Sequence, residues 1–249
     1  MGKVAFVFPG QASQYPGMGK ELADKYAGAR AVFEEADQAL GFSISKMCFE
    51  GTEEELKQTA NTQPAILGLS PAVVADACKR AAGNEVCSPA NLNSPEQTVI
   101  SGHAGAVKRA VEIASQLGAK RAVILPVSAP FHSALMMPAQ ERLAKDLATT
   151  EFSDLQWPLV TNVDADTETK GTEARDALVR QVTMPVRWEE SVRLLIDEGV
   201  NTFVEVGPGR VLTGLLRQIE RSVATLNIED EKSLAVTLDK ITGAKFDAA

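Results

Sequence analysis

Apolar and polar positions along this chain switch repeatedly between a strand period and a helix period. Val4 to Phe8 is an unbroken apolar run stopped at once by Pro9-Gly10. That pattern predicts a buried strand ending in a turn, as in a parallel sheet covered on both faces. Leu22, Tyr26, Ala29 and Phe33 then fall at helical spacing, and a helix through Ala36–Leu40 stops at Gly41. Thr52 with Glu55 three residues on forms a capping box, which predicts a short helix over Glu53–Gln58. Asn61-Thr62-Gln63-Pro64 reads as a polar turn.

From residue 65 the order of elements changes. Ala65–Leu69 is a short apolar run, and Ser70 stands at the cap of a helix over Pro71–Ala82. Two short strands, Glu85–Asn93 and Gln97–Ser101, are joined by Ser94-Pro95. A helix over Ala104–Leu117 ends at Gly118, and Arg121–Pro126 is a strand. Strand, helix, strand, strand, helix, strand is the ferredoxin-like order. The expected fold is therefore α/β: a larger domain with a parallel sheet over residues 1–65 and 127–249, and a smaller ferredoxin-like α+β domain over 66–126. Beyond it the pattern predicts a strand over Trp157–Asn162, helices over Glu173–Gln181 and Arg187–Asp197, and a strand over Thr202–Val206. That strand ends at Gly207-Pro208-Gly209 and leads into a helix over Val211–Ile219, and a weakly helical stretch lies beyond Glu229.

Composition narrows the function classes. Of 249 residues, 45% are hydrophobic and 23% charged, as in ordinary globular proteins, and this length buries a sizeable core. A net charge of −8 argues against a general nucleic-acid binder. No apolar run reaches membrane-spanning length. The opening MGKVAFVFPG is too short and too strand-like for a secretory signal, and Phe6 stands where a myristoylation signal needs Ser or Thr. Cys48, Cys78 and Cys87 show no metal or CxxC spacing, so reduced thiols in a cytoplasmic protein are expected, with neither metal nor cofactor.

The chemistry concentrates at Pro130-Phe131-His132-Ser133. His132 is one of only two histidines and lies between the predicted strand ending at Pro126 and a helical pattern over Ala139–Leu147. A histidine there is either a general base or a cap of the following helix, and this stretch alone does not separate the two. The Gly-rich GQASQYPGMG after the first strand is neither a Walker loop nor a GxGxxG fingerprint.

Seven stretches carry a resemblance that spans nearly the whole chain. FPGQASQ (8–14), NTQPAIL (61–67), NLNSPEQTVISG (91–102), VSAPFHSALM (127–136), VTNVDA (160–165), MPVRW (184–188) and EVGPGRVLTGLL (205–216) occur in one order. That order resembles the malonyl-CoA:acyl carrier protein transacylases of fatty-acid synthesis. The resemblance implies ping-pong transfer of malonate from malonyl-CoA to the phosphopantetheine thiol of acyl carrier protein, through an acyl-serine ester. It implies His132 as general base and Gln11 as an oxyanion N–H donor. The backbone near Arg187 would orient the histidine, while Gln63, Asn91, Asn93 and Phe131 would line the substrate cleft. A monomer without nucleic-acid or membrane partners is expected. Docking of an acidic carrier would call for a basic patch, for which Lys79/Arg80, Lys108/Arg109, Lys120/Arg121 and Arg217/Arg221 are candidates.

The chain departs from that family at one place. The family's nucleophile sits in a GHSLGEY elbow, a form of G-x-S-x-G, and no such motif occurs in these residues. NTQPAIL runs directly into GLSPAVVADACKRA, so a segment of several dozen residues is missing, together with the carboxylate-binding arginine. Ser70 is followed by Pro71, which has no N–H to offer an oxyanion. His103 in SGHAG starts a helix, Ser133 points along the chain, and Cys87 reads as a core residue on a strand. The nucleophile is not identifiable from sequence, and the alternative function is a catalytically dead acyl-CoA- or carrier-binding remnant. Loss of that segment also removes a central strand from the larger sheet.

Overall fold

The structure, a computed structural model, describes residues 2–10, 13–56, 61–127 and 129–243. In chain order these give β1 (Lys3–Val7), α1 (Lys20–Lys25), α2 (Ala27–Leu40), α3 (Ile44–Glu50) and α4 (Glu53–Leu56). There follow β2 (Asn61–Leu67), α5 (Pro71–Ala82), β3 (Cys87–Ser94), β4 (Gln97–Gly102), α6 (Ala104–Gln116) and β5 (Arg121–Val127). A short 3-10 turn, Ala134–Met136, leads into α7 (Met137–Ala148), β6 (Leu159–Thr161), β7 (Asp166–Glu168), α8 (Gly171–Gln181) and α9 (Trp188–Asp197). The last elements are β8 (Val200–Val206), α10 (Val211–Ile219), β9 (Ala224–Ile228) and α11 (Glu231–Thr242). The chain divides into two compact units, one of residues 1–58 with 199–249 and one of residues 59–198.

The first unit is built on a three-stranded parallel sheet in the order β1-β8-β9. β8 holds the centre, and its Phe203, Val204 and Glu205 are each fully buried. Glu205 is a charged residue in that core because α10 begins directly above it. Its carboxylate accepts the N–H groups of Leu212 at 3.0 Å and Thr213 at 2.8 Å, donors that the first turn of a helix leaves without partners. Gly207 follows β8 with φ 138°, and a Cβ there would lie 2.8 Å from the Pro9 ring, so this position of the turn admits no side chain. The Thr52/Glu55 capping box forms, with Thr52 N–H donating to Glu55 Oε2 at 2.8 Å and Glu55 N–H to Thr52 Oγ1 at 3.2 Å.

β1 departs from expectation. The apolar run predicted a strand covered on both faces, yet among the described residues β1 pairs only with β8 and lies at the sheet edge. Phe6 is 57% exposed and Phe8 70%. The run states that the strand favours burial, but the neighbours that would bury it come from elsewhere in the chain. β9, which completes the other edge, escaped the sequence pattern because SVATLNI carries too few apolar residues to stand out.

The second unit contains a four-stranded antiparallel sheet in the order β3-β4-β2-β5, the ferredoxin-like arrangement. α5 and α6 pack through Ile66, Val74, Ala77, Cys78, Ile100, Ala110 and Ala114, all within 1% of full burial. Small residues at the helix contacts let the two helices lie close to the sheet. The unit extends well beyond the expected 66–126. Asn61–Pro64 is the start of β2, not a polar turn, because its backbone pairs with Leu125–Val127 and Ile124 of β5. Residues 127–198 also belong here. Val186 exchanges backbone hydrogen bonds with Ala90 and Leu92 of β3 at 2.8 Å each, adding a further segment along that strand.

The contrast between β1 and β8 is measurable. Phe203→Ala should lower unfolding free energy in urea by about 3–5 kcal/mol, whereas Phe6→Ala should change it by less than about 1 kcal/mol. Equal losses at the two positions would show that β1 is covered.

Candidate active site

β5 delivers the chain to the turn that holds His132. The histidine has φ 57°, in the left-handed region that few non-glycine residues adopt. Two buried contacts hold the backbone in this shape. Gln63, 5% exposed on β2, donates from Nε2 to the Phe131 carbonyl and to Ser101 Oγ, both at 3.0 Å. Ser133, 1% exposed, donates its hydroxyl to the Pro130 carbonyl at 2.7 Å. Gln63 is thus a strand residue tying the histidine turn to β2 and β4, and its amide is spent on protein atoms.

The imidazole is oriented from α8. His132 Nδ1 lies 2.9 Å from the backbone oxygen of Gln181, the last residue of that helix. A carbonyl only accepts, so Nδ1 is the donor, and in the neutral ring the lone pair falls on Nε2. This is the tautomer a general base needs, with no carboxylate involved. The orienting backbone, expected near Arg187, is instead the carbonyl of Gln181. The Arg187 carbonyl is occupied by Ser191, which donates to it from N–H at 3.0 Å and from Oγ at 2.9 Å as α9 begins. Nothing in the Gln181 side chain marks this role, since the backbone does the work. Its side-chain amide donates to the Met184 and Pro185 carbonyls at 2.9 and 3.3 Å and so shapes the loop after α8.

That loop is braced from below. Arg180 makes a bidentate pair with Asp164 at 2.5 and 2.6 Å, and Arg187 Nη1 donates to the Asp164 carbonyl at 2.7 Å. Hydrogen bonding from Arg180 holds the Asp164 carboxyl below the usual carboxylate range. A cavity of about 530 Å³ opens at His132, walled by Pro71 and Ala72 of α5, Ser88, Pro89 and Leu92 of β3, and residues 183–185. Its lining is mainly apolar, as small-molecule sites generally are.

The other predicted residues fall as follows. Asn91 and Asn93 are half-buried on β3, the strand that supplies a wall of that cavity. Phe131 contributes a backbone carbonyl to the Gln63 contact and is itself half-buried. Gln11 lies outside the described residues. Ser70 occupies the N-cap position of α5 without a side-chain capping bond, and the Ser133 hydroxyl is engaged and buried. His103 sits at the start of α6, where Nδ1 accepts the Val86 N–H at 2.9 Å. Ser88, which no sequence motif marks, is a hydroxyl lining the same cavity as His132. Of the basic pairs, Arg109 is bound to Glu85, Lys120 to Glu96 and Arg80 to Asp76. Among the described residues no cluster of His, Cys, Asp or Glu could hold a metal ion, and no helix is long and apolar enough to cross a membrane.

A histidine held by a carbonyl beside an apolar cleft is an arrangement compatible with acyl transfer. The chain belongs to the acyl transferase domain family, whose model matches residues 5–85 and 72–240. It is 36% identical to the malonyl CoA-acyl carrier protein transacylase of Bacillus subtilis strain 168, over 97% of this chain and 98% of that protein. It is also 36% identical to the protein of that name from Escherichia coli K12, over 96% of this chain and all of the relative. Among solved structures, an acyl carrier protein S-malonyltransferase of Vibrio cholerae superposes with a TM-score of 0.88 at 34% identity, covering 94% of this chain and 99% of that one. A malonyl-transacylase in complex with its type II polyketide synthase acyl-carrier protein gives 0.89 at 32% identity, over 96% and 99%. The Bacillus alignment runs over 311 positions, 62 more than the 249 residues present here, so the relative carries a long stretch that this chain lacks.

Two outcomes are expected at this site. Gln63→Leu should lose about 1–3 kcal/mol, because the Phe131 carbonyl is left without its donor, and it should broaden the His132 ring signals in NMR spectra. Asp164 has a lowered folded pKa, so its stabilisation is present at neutral pH and lost as pH falls through that value. Asp164→Asn should therefore melt below the wild type at pH 7, with the gap closing below about pH 4.

Proposed function

We propose that this chain transfers malonyl groups from malonyl-CoA to the phosphopantetheine thiol of acyl carrier protein, with His132 as the general base. The observation that carries the reading is the Nδ1 contact with the Gln181 carbonyl, which leaves Nε2 basic beside the cavity. The names of the relatives support malonyl-CoA and carrier protein as the two substrates.

In this reading Nε2 takes the proton of a nucleophilic hydroxyl as it attacks the thioester carbonyl, and CoA leaves as the thiolate, taking up a proton. In the second half-reaction the carrier thiol gives its proton to the same nitrogen and attacks the acyl ester, the C–O bond breaks, the released oxygen takes that proton back from the ring, and malonate leaves on the carrier sulfur. Gln11 serves as an oxyanion donor, and Asn91, Asn93 and Phe131 border the acyl group. The hydroxyl itself has no G-x-S-x-G elbow to present it in these 249 residues. That departure favours a second reading, in which the chain binds acyl-CoA or carrier protein without turnover. We further infer a monomeric protein of the cytoplasm, the compartment being the one that keeps its three free cysteines reduced.

Intact mass spectrometry after mixing the chain with malonyl-CoA separates the two readings. The expected result is a single malonyl adduct, formed at least about 100-fold more slowly in His132→Ala and mapped to one hydroxyl by peptide analysis. Malonyl-CoA binding with no adduct would overturn transfer in favour of the second reading. An adduct that forms equally fast without His132 would remove the histidine from the mechanism.

A further inference from the structure

A second cavity, of about 490 Å³, opens between α7 and α8, and none of its lining residues lines the cavity at His132. Its walls follow from the spacing of residues along the two helices. Ala144, Leu147 and Ala148 are three and four positions apart on α7, so they share one face. On α8, Arg175 with Val179 and Asp176 with Arg180 are each four apart and form the facing wall. Two alanines opposite long side chains leave a gap that neither helix fills. The cavity is therefore aliphatic on one side, and on the other it carries two guanidinium groups. Arg175 donates from Nε and Nη2 to Asp176 Oδ1, both at 3.1 Å, and Arg180 donates from Nη1 and Nη2 to Asp164 at 2.5 and 2.6 Å. Each carboxylate takes two of the five N–H donors of a guanidinium, which leaves three on each arginine without an acceptor among the described residues. The Arg175 side chain is only 33% exposed, while Asp176 is 64% exposed and offers it a single oxygen, a pairing of little strength. Arg180 directly precedes Gln181, whose carbonyl holds His132 Nδ1 at 2.9 Å.

We propose that this cavity binds an aliphatic monocarboxylate, and that the bound acid loosens the hold of α8 on His132. The chain lies along Ala144, Leu147, Ala148 and Val179, and the carboxylate takes N–H donors of Arg175 and Arg180. A carboxylate matches the planar fork of arginine with two parallel N–H···O bonds, and the aliphatic wall removes the chain from water. Both halves of the ligand are needed. A short anion meets guanidiniums that already have partners, and a neutral chain leaves their remaining donors unused. The carboxylate competes with Asp164 for Arg180, so its binding weakens the bidentate pair that braces the end of α8. The Gln181 carbonyl follows directly on Arg180, and it is the atom that orients the imidazole. The inference needs only that contact and does not depend on His132 acting as a catalytic base.

The test is titration of the full chain with sodium octanoate at constant pH, followed by calorimetry and by the His132 ring signals in NMR spectra. Octanoate should bind once and saturably, and the ring signals should shift along the same curve. Acetate and octanol, which each carry one half of the ligand, should bind at least about 10-fold more weakly. Arg175→Met should weaken octanoate binding by about 10-fold or more and remove the shift at matched concentration. Asp176→Asn removes the carboxylate that competes for Arg175, so it should tighten binding several-fold, a gain that a damaged fold would not produce. Binding that is unchanged in Arg175→Met, or equally tight for octanol or acetate, would overturn the site and its ligand class. Octanoate binding lost in Arg175→Met but without effect on the His132 signals in the wild type would overturn the coupling.

Discussion

A strand inside a sheet has to satisfy backbone groups on both of its edges, and in this protein β2 meets that requirement against β4 and β5 together. Much of the second unit follows from this double pairing. β5 runs the full length of β2, and its end sets down the turn bearing His132. β4 pairs with β2 only over Ala65–Leu67, so the ladder on that side stops short of Pro64, which has no N–H to contribute. Gln63, one residue earlier, reaches Ser101 and the Phe131 carbonyl. The pairing therefore fixes the scaffold and the side chain that steadies the candidate base.

The histidine is positioned from the main chain. A carbonyl at the end of α8 selects the tautomer, and the Asp164–Arg180 pair braces that helix end. Orienting the ring with a neutral oxygen adds no buried charge beside the cavity. The left-handed backbone at His132 is tolerated because its neighbours on both sides are hydrogen-bonded in place.

The same pairing rule explains the larger sheet. β8 is saturated by β1 and β9, and its side chains are buried, whereas β1 has one partner and keeps Phe6 largely in solvent. A run such as VAFVF is ordinarily a central strand of an α/β sheet. No G-x-S-x-G elbow stands between NTQPAIL and GLSPA, which follow one another directly. There β2 ends at Leu67, and α5 begins at Pro71 after a three-residue turn.

What the sequence determined by itself was whatever depends on neighbours along the chain. The capping box at Thr52, the helix over Val211–Ile219, the stop at Gly41 and the ferredoxin-like order are all local patterns, and all are present. The family is equally legible, because its motifs are long. Tertiary structure alone decided the rest. That β2 begins at Asn61, that β1 is an edge, and that Gln181 instead of Arg187 orients the histidine each depend on a partner far away in sequence. The orienting group is moreover a backbone carbonyl, which every residue possesses, so no side chain could announce it.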